Sequence, residues 1–489
     1  MTTKAIGLLV VLTVAAAANA ATFTVTSYAD SGPGTLRNAI LQSNASPRAS
    51  GNTIQILTVG APPYVIKPNS LLPAIVGPAV VQGAQKGLVS ATGPSIAIDG
   101  SNFLNGDDQN SCPGTTSGFG PNSRSLFGAG LSVVDSGNVR ITNLEIRQFC
   151  IGLMSLRSHD NRFDHNYIHN TGGAAGVLVT GDLGDTAGTS TQGLSVNNVV
   201  EYNTIVDTGD GAECTRGTSY TIFRGNVFTE TRSRPGVPFS QGIECAGNFN
   251  DRVSIVGNTF TGFSDGLQLN GMTNGIVAGN TITGATYGIT WAGSGVVIGN
   301  TITGNRMGVG PSGASSAITV TQNRIFDNGH AEIISLSTSA GGTTNLASPA
   351  LLGIDFGVNG LTANDIAGCA DALPDCALPQ NFPVLGAGSS WGSNGTVILQ
   401  GTLQSRPSSV YKVELFANHA LNASGFGEGE VYIGSVVVTT NASGNGTFTF
   451  TSGPNPLGDG TASGYFTATA TNLVTGTTSE FSAPILLSH

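Results

Sequence analysis

Two glutamates stand at the same place in two similar strings, Gly211-Ala-Glu-Cys and Gly242-Ile-Glu-Cys, so that Glu213 corresponds to Glu244. If the two strings form neighbouring parallel strands, the two carboxylates lie about 5 Å apart on one face. Like charges at that distance repel each other, so the pair must share a proton, bind a cation or recruit an arginine. We therefore take Glu213 and Glu244 as the candidate catalytic pair.

Further polar residues lie close to this pair in the sequence. Asp207 is expected at a turn beside it, and charged residues make up only 10% of the chain. We therefore expect this to be the only place where charge clusters. The candidate substrate-binding residues are Arg216, Arg232, Arg234, Asp210, Asp265 and Gln268.

Three chemistries fit such a group of residues. Carboxylates about 5 Å apart match the pair of a retaining glycosidase. Carboxylates from several chain segments also suit Ca²⁺, which takes oxygen ligands and is the one cofactor that these residues suggest. A cation with an arginine base would suit β-elimination of a uronate polysaccharide. The alternative is a solvated polar face paired by arginines, without chemistry.

A repeated string predicts the elements that position the pair. Most of its asparagines follow one another after about 20 to 23 residues, and two intervals are longer, which is typical of a solenoid with insertions. A repeated asparagine can bond its amide to the asparagine of the next coil and adopt the left-handed conformation of a bend. The strings begin at Asn166, Asn203, Asn226, Asn258, Asn280, Asn300 and Asn323.

A second string begins with glycine and alternates apolar and other residues, as in a short strand with one face inward. Stacking such coils about 4.8 Å apart pairs each strand with its equivalents above and below. The middle residue of each string then points outward. These outward residues form a predicted column of Met154, Leu178, Glu213, Glu244, Gln268, Thr290 and Gly310.

The coils resemble those of the right-handed parallel β-helix superfamily, which includes pectate lyases and polygalacturonases. Residues 23–41, with a strand, a Gly-Pro-Gly turn and a short helix from Leu36 to Leu41, resemble the N-terminal segment of bacterial secreted members. The resemblance implies an all-β fold and a carbohydrate substrate. The paired aspartates and Gly-His-Gly string of polygalacturonases are missing, and no pectate lyase arginine motif aligns.

The expected organisation is a signal peptide at 1–20, a strand and capping helix at 21–52, a β-helix at 53–353, a linker at 354–394 and a β-sandwich at 395–489. The sandwich resembles immunoglobulin or fibronectin type III domains, because longer alternating runs are separated by turn-rich gaps. Polar insertions are expected at 101–125 and 181–192.

Cys214 and Cys245 hold the same inward place in their strings, so we predict a disulfide between them. Cys369 and Cys376 would close a small loop and are the next pair, which leaves Cys112 and Cys150 unassigned. A group of histidines and aspartates is expected to lie at the surface and to bind no metal, because their spacing on strands does not bring three ligands to one point. It comprises His159, Asp160, Asp164, His165 and His169.

Composition limits the partners. A positive start at Lys4, an apolar run and a small-residue end predict a secretory signal peptide, so the mature chain should be exported, extracellular and monomeric, without a membrane span. A net charge of −10 with few lysines argues against nucleic acid.

Two functions therefore stay open. The first is a secreted protein that binds or cleaves an acidic polysaccharide or cell-surface glycan, as a lyase or hydrolase, along the outer column. The second is a non-catalytic structural or adhesion protein, in which the β-helix is a stiff rod.

Overall fold

The computed structural model of the 489-residue chain describes residues 20–46, 51–84, 94–106, 112, 128–181, 193–232, 240–247, 249–312, 316–329, 335–337, 343–345, 351–364 and 380–489. Residues 1–19 of the predicted signal peptide lie outside these ranges, as do Arg234, Cys369 and Cys376. Within them, no helix is long and apolar enough to cross a membrane.

Short strands from successive coils pair in parallel, which confirms the predicted β-helix. The first long sheet has eleven strands and its strand order follows the chain. Its strands are Thr22–Val25, Asn52–Ile56, Ala79–Gln82, Val139–Thr142, Arg162–Asp164, Val199–Glu201, Ile222–Arg224, Ser254–Val256, Gly275–Ala278, Ser294–Ile298 and Ala317–Thr321.

The second long sheet has sixteen strands and two arms that meet at a corner. The side arm contains Tyr64–Ile66, Ile96–Asp99, Glu145–Arg147, Tyr167–Thr180, Thr204–Thr215, Val227–Thr229, Thr259–Thr261, Thr281–Thr283, Thr301–Thr303 and Arg324–Phe326. Tyr167–Thr180 and Thr204–Thr215 turn the corner into the front arm. The other strands of the front arm are Ala129–Val134, Ile151–Leu156, Gln241–Ala246, Asp265–Asn270, Tyr287–Ala292 and Met307–Pro311.

Two smaller sheets lie in the same part of the chain. Four two-residue strands lie between the front arm and the eleven-stranded sheet in the chain: Ser195–Val196, Thr218–Ser219, Asn250–Asp251 and Met272–Thr273. Ser335–Ser337 and Thr343–Asn345 form an antiparallel pair. A 3-10 turn covers Gly100–Asn102.

Inward side chains fill the solenoid in stacked layers. Phe228 and Phe260 are fully buried, and their rings stack with centroids 4.8 Å apart. The single α-helix of the described residues, Leu36–Ala45, extends four residues beyond the predicted end, and the side chain of Thr35 caps its N-terminus. Its buried Leu36 and Ile40 belong to the same core, so the helix covers the first coil.

The repeated asparagines form the predicted ladder. The Nδ2 of Asn226 donates to the Oδ1 of Asn258 at 2.9 Å, and the Nδ2 of Asn258 donates to the Oδ1 of Asn280 at 3.0 Å. Each Oδ1 also accepts the backbone N–H of the preceding ladder residue, as Asn258 does for Asn226 at 2.9 Å. The asparagines are buried, so these bonds hold the coils in register without help from solvent.

The expectation that these asparagines adopt the left-handed conformation is wrong. That conformation belongs to the residue before each one, for example Tyr202 at φ 54° and Gly257 at φ 64°. The bend is therefore complete before the asparagine, whose side chain can point inward along the stack.

The C-terminal region contains two four-stranded antiparallel sheets, as expected for a sandwich. One sheet contains Val384–Leu385, Ser390–Trp391, Thr396–Gln404 and Asn445–Pro454. The other contains Val410–Asn418, Val431–Thr439, Ser463–Asn472 and Ile485–Ser488.

Buried carboxylates of the sandwich cap the last coils. Glu428 accepts hydrogen bonds from the backbone N–H of Asn328 at 3.1 Å and from its side chain at 2.9 Å. It thereby takes the place of the next asparagine in a second ladder, from Asn305 to Asn328. Glu414 accepts the N–H of Gln322 in the same way. The sandwich thus supplies acceptors that a further coil would otherwise provide.

The expectation of a single charge cluster is also wrong. Asp164, which was expected at the surface, is fully buried and binds Arg140 through two hydrogen bonds of 2.7 Å. Arg162 binds the buried Glu201 at 2.6 Å, and Arg147 binds Asp99 at 3.0 Å. Each of these carboxylates is paired with an arginine of a neighbouring coil through charge-assisted hydrogen bonds.

Replacing Asn258 by alanine should destabilise the chain by at least about 2 kcal/mol, because the buried N–H groups of Asn226 lose their acceptor. Thermal and urea unfolding measure the loss. The exposed Asn270 is the matched control, and Asn270→Ala should change stability little. Equal losses in the two variants would contradict a structural role for the ladder.

Candidate active site

The outward column has the register that the strings predict. Leu178 pairs with Glu213, Glu213 with Glu244, and Glu244 with Gln268. The column continues to Thr290 and Gly310. The front arm therefore places the two glutamates one coil apart on the same face.

A second column adds two aspartates. It consists of the residue before each glycine, in the order Ile151, Ala175, Asp210, Gln241, Asp265, Tyr287 and Met307. Carboxylate oxygens of Asp210, Glu213 and Glu244 all lie within 4.8 Å of one another. We call Asp210, Glu213, Glu244 and Asp265 the carboxylate cluster.

Glycine allows successive coils of the front arm to approach each other. A Cβ atom on Gly211 would lie 2.4 Å from the carbonyl oxygen of Gly242, and one on Gly242 would lie 2.3 Å from that of Gly266. The backbones are therefore too close for any other residue type at these positions. This packing keeps Asp210 and Glu213 of one coil close to Gln241 and Glu244 of the next coil.

The cluster is poorly solvated. Asp210, Glu213 and Glu244 are half-buried, and Asp265 is only 4% exposed. Among the described residues, the Oδ1 of Asp265 has no hydrogen-bond partner, whereas Asp210 accepts the backbone N–H of Gln241 at 2.9 Å. Charge on these groups is thus stabilised by few donors.

Burial raises every pKa in the cluster, and repulsion between carboxylates adds to the shift for Asp210, Glu213 and Asp265. Burial and the charge of Glu244 raise the pKa of Glu213 to about 8, although Arg216 opposes the shift. The same two causes raise the pKa of Asp265 to about 7. Burial raises the pKa of Glu244, and burial with the neighbouring carboxylates raises that of Asp210 well above its usual value. Near neutral pH the cluster therefore holds both protons and negative charge.

The candidate arginines are placed differently. Arg216 is 9% exposed, has φ 49°, and lies close enough for its charge to act on Glu213. The Nη2 of Arg232 donates to the backbone carbonyl of Asp207 at 2.6 Å, and its Nε lies 3.4 Å from the carboxylate of Asp207. Of the two, Arg216 thus acts directly on the cluster.

Sequence reasoning missed the second column as a unit. Gln241 positions Asp210 through its N–H, and Tyr287 lies next to Asp265 in the register. Both residues immediately precede a repeated glycine, and that shared position was the available signal. On the other side, Met154 and Leu178 are buried in a small apolar cluster next to the carboxylates.

Oxygen atoms with the spacing of Asp210, Glu213 and Glu244 can also hold a cation such as Ca²⁺. It is the only such group of potential metal ligands in the described ranges. In the other predicted group, His159 and His165 bind neighbouring aspartates, as His165 binds Asp164 at 2.7 Å, whereas His169 binds Glu145 at 3.1 Å.

Two disulfides lie near the front arm. Cys214 and Cys245 are bonded directly beside Glu213 and Glu244, with Cα atoms 4.5 Å apart. Cys112 and Cys150, which the sequence left unassigned, form the other bond. It joins the insertion to the start of the strand Ile151–Leu156.

The fold and the column define a right-handed parallel β-helix protein. A family model described as a right handed beta helix region matches residues 190–325. Alginate lyase from Paenibacillus sp. FPU-7 is 15% identical with a TM-score of 0.39, covering 63% of this chain and 95% of that chain. A catalytic domain of GH87 alpha-1,3-glucanase is 13% identical with a TM-score of 0.28, covering 68% and 69%. At these identities the similarity concerns the fold.

A much stronger match covers nearly the whole chain. The 3-dehydroshikimate dehydratase of Acinetobacter baylyi is 36% identical over 466 residues, which cover 87% of this chain and 88% of that protein. The chain belongs to the same family as this dehydratase.

The raised pKa values predict how stability depends on pH. The folded state keeps protons that the unfolded chain releases, so stability should fall as pH rises from about 5 to about 8. Glu213→Gln removes part of this penalty and should stabilise the protein at pH 9 by at least about 1 kcal/mol. Urea unfolding at pH 5 and pH 9 measures the difference.

At pH 5 the variant and the unmodified protein should be nearly equal. Glu430→Gln is the control, because the pKa of Glu430 is lowered by its hydrogen bonds to His419 despite partial burial. That variant should not gain stability at pH 9. Lower stability of Glu213→Gln at pH 9 would contradict the raised pKa.

Proposed function

We propose that this chain is a dehydratase that eliminates water from 3-dehydroshikimate at the carboxylate cluster. The observation that carries the proposal is a group of four half-buried or buried carboxylates with raised pKa values, in a member of a dehydratase family. Elimination of water needs a base and an acid at the same time. A cluster that holds both protons and charge near neutral pH supplies both.

The chemistry of the substrate sets the requirements. 3-Dehydroshikimate is a ring carboxylate with a ketone, a C–H bond next to the ketone and a hydroxyl one carbon further. A base removes that proton, the electron pair forms a C=C bond, and the C–O bond breaks. The leaving oxygen takes a proton and departs as water. Transfer of one ring proton to the ketone oxygen then gives an aromatic dihydroxybenzoate.

We assign the two glutamates to different roles. Glu213, with its pKa raised to about 8, is protonated near neutral pH and would protonate the leaving hydroxyl. Glu244, which lies one coil away from Glu213 on the same face, would be the ionised partner and remove the proton beside the ketone. The charge of Glu244 acts on Asp265, which would receive the proton from Glu244.

The negative substrate needs a cation beside an acidic cluster. Arg216 is nearly buried and its charge already acts on Glu213, so it would bind the substrate carboxylate or the developing oxyanion. Arg232 and Arg234 are the further candidates from the sequence, and Gln268 would contact the ring from the next coil.

Cleavage of an acidic polysaccharide is the second candidate. It uses the same elimination chemistry, and the outward column continues beyond the cluster through half-buried Gln268 and Thr290, where further sugar units could lie. A non-catalytic structural role would leave four weakly paired carboxylates without a purpose. We also propose that the chain acts outside the cytoplasm, since its two described disulfides suit an oxidising compartment.

Purified protein should convert 3-dehydroshikimate to the aromatic acid, which is followed by the ultraviolet absorbance of the product. Glu213→Gln and Glu244→Gln should each lower kcat by about 100-fold or more, because each removes one proton-transfer group. Glu430→Gln in the sandwich makes the same chemical change away from the cluster, and it should keep full activity.

The same assay separates the alternatives. Unsaturated products from uronate polymers, without turnover of 3-dehydroshikimate, would replace the dehydratase by a polysaccharide lyase. Loss of activity with EDTA and recovery with Ca²⁺ would show that a cation, rather than shared protons, neutralises the cluster. No turnover of either substrate class would refute an enzymatic role.

A further inference from the structure

We infer that the Cys214–Cys245 disulfide is a positioning device that holds Glu213 and Glu244 at their working separation. The inference deepens the proposed function, on which its catalytic consequence rests. We assign the disulfide no contact with the substrate. It acts through the two glutamates.

The disulfide lies directly beside the two glutamates. Each cysteine directly follows one of the glutamates, and both residue pairs are aligned in the same register. Glu213 and Glu244 point outward, whereas Cys214 and Cys245 are fully buried on the inner side of the same two strands. Any shift between these strands at the cysteines is therefore transmitted to the carboxylates one residue away.

The disulfide also occupies a particular position in an inner column of stacked residues. The column runs from Val179 through Cys214 and Cys245 to Leu269 and Trp291. Its other members belong to the same parallel sheet, but their side chains form no covalent bond with one another. The covalent bond joins the two coils whose outward neighbours are both glutamates.

Electrostatic repulsion between the two glutamates acts on the strands that the disulfide joins. Two carboxylates one coil apart repel when both are charged, and this repulsion pushes their strands apart. The cysteines are separated by 31 residues, more than one ordinary coil, so extra chain intervenes between these two strands. The asparagine ladder also joins these coils, through Asn226 and Asn258, but it lies at a different corner of the coil. A covalent bond beside the glutamates resists the repulsion where it arises.

The test replaces the disulfide by Cys214→Val with Cys245→Ala, since valine already occupies the column at Val179. We expect kcat to fall by about 10- to 100-fold with little change in KM, because a small displacement of reacting groups is costly. The pH–rate profile should also change, with its two apparent pKa values moving closer together as the carboxylates separate.

Two controls isolate positioning from packing. Cys112→Ala with Cys150→Ala removes the other disulfide, and Leu269→Ala loosens the same inner column at the next coil. Both should leave the two apparent pKa values unchanged. If Leu269→Ala alters the pH–rate profile as much as loss of the Cys214–Cys245 bond, general core packing explains the effect and the inference is wrong.

A second readout does not depend on activity. The fall in unfolding midpoint between pH 5 and pH 9 should become smaller in the Cys214→Val, Cys245→Ala variant, because the separated carboxylates repel less. Should that variant fail to fold, the unmodified protein reduced by a phosphine in mild urea provides the same comparison. An unchanged pH dependence would overturn the inference even if no substrate is turned over, so its failure is distinct from that of the proposed function.

Discussion

Hydrogen bonding between stacked parallel coils is the constraint on which the rest of this structure depends. It holds equivalent residues of successive coils about 4.8 Å apart, so that every repeated position becomes a column. The asparagine ladder reinforces the register from inside, where each amide bonds to the next one along the stack. Each repeated residue is thereby placed directly beside the equivalent residue of the next coil, so that like charges in a repeat come close together.

This constraint explains both the cost and the use of the carboxylate cluster. In nearby coils the buried carboxylates of Asp164 and Glu201 are paired with arginines, as Arg140 is with Asp164. In the cluster the fold stacks Glu213 on Glu244 and adds Asp210 and Asp265, and among the described residues Arg216 is the cation whose charge acts on Glu213. Burial, together with repulsion between the carboxylates, destabilises the charged state and raises the pKa values of the cluster. Such a local cost within an otherwise well-satisfied structure is characteristic of functional sites.

The sequence was sufficient for the parts of the fold that repeat. The glycine strings and the asparagine strings have the spacing of single coils, so the register of Glu213 with Glu244 and of Cys214 with Cys245 followed directly. The second column was not recognised, because its residues share only the position before the glycine and differ in type. The ion pairs of Asp164 and Glu201 were missed because their arginines lie on other coils. The partner of Cys112 could not be predicted, since an insertion carries no register.

The assignment of one glutamate as acid and the other as base is the central claim, and hydrogen exchange tests it most directly. Each variant is incubated with 3-dehydroshikimate in D₂O, and deuterium at the carbon beside the ketone is measured by mass spectrometry against a sample without protein. Glu213→Gln should still exchange this hydrogen without forming the aromatic product, because its base is intact. Glu244→Gln should show neither reaction. Exchange by Glu244→Gln, or none by Glu213→Gln, would contradict the assignment.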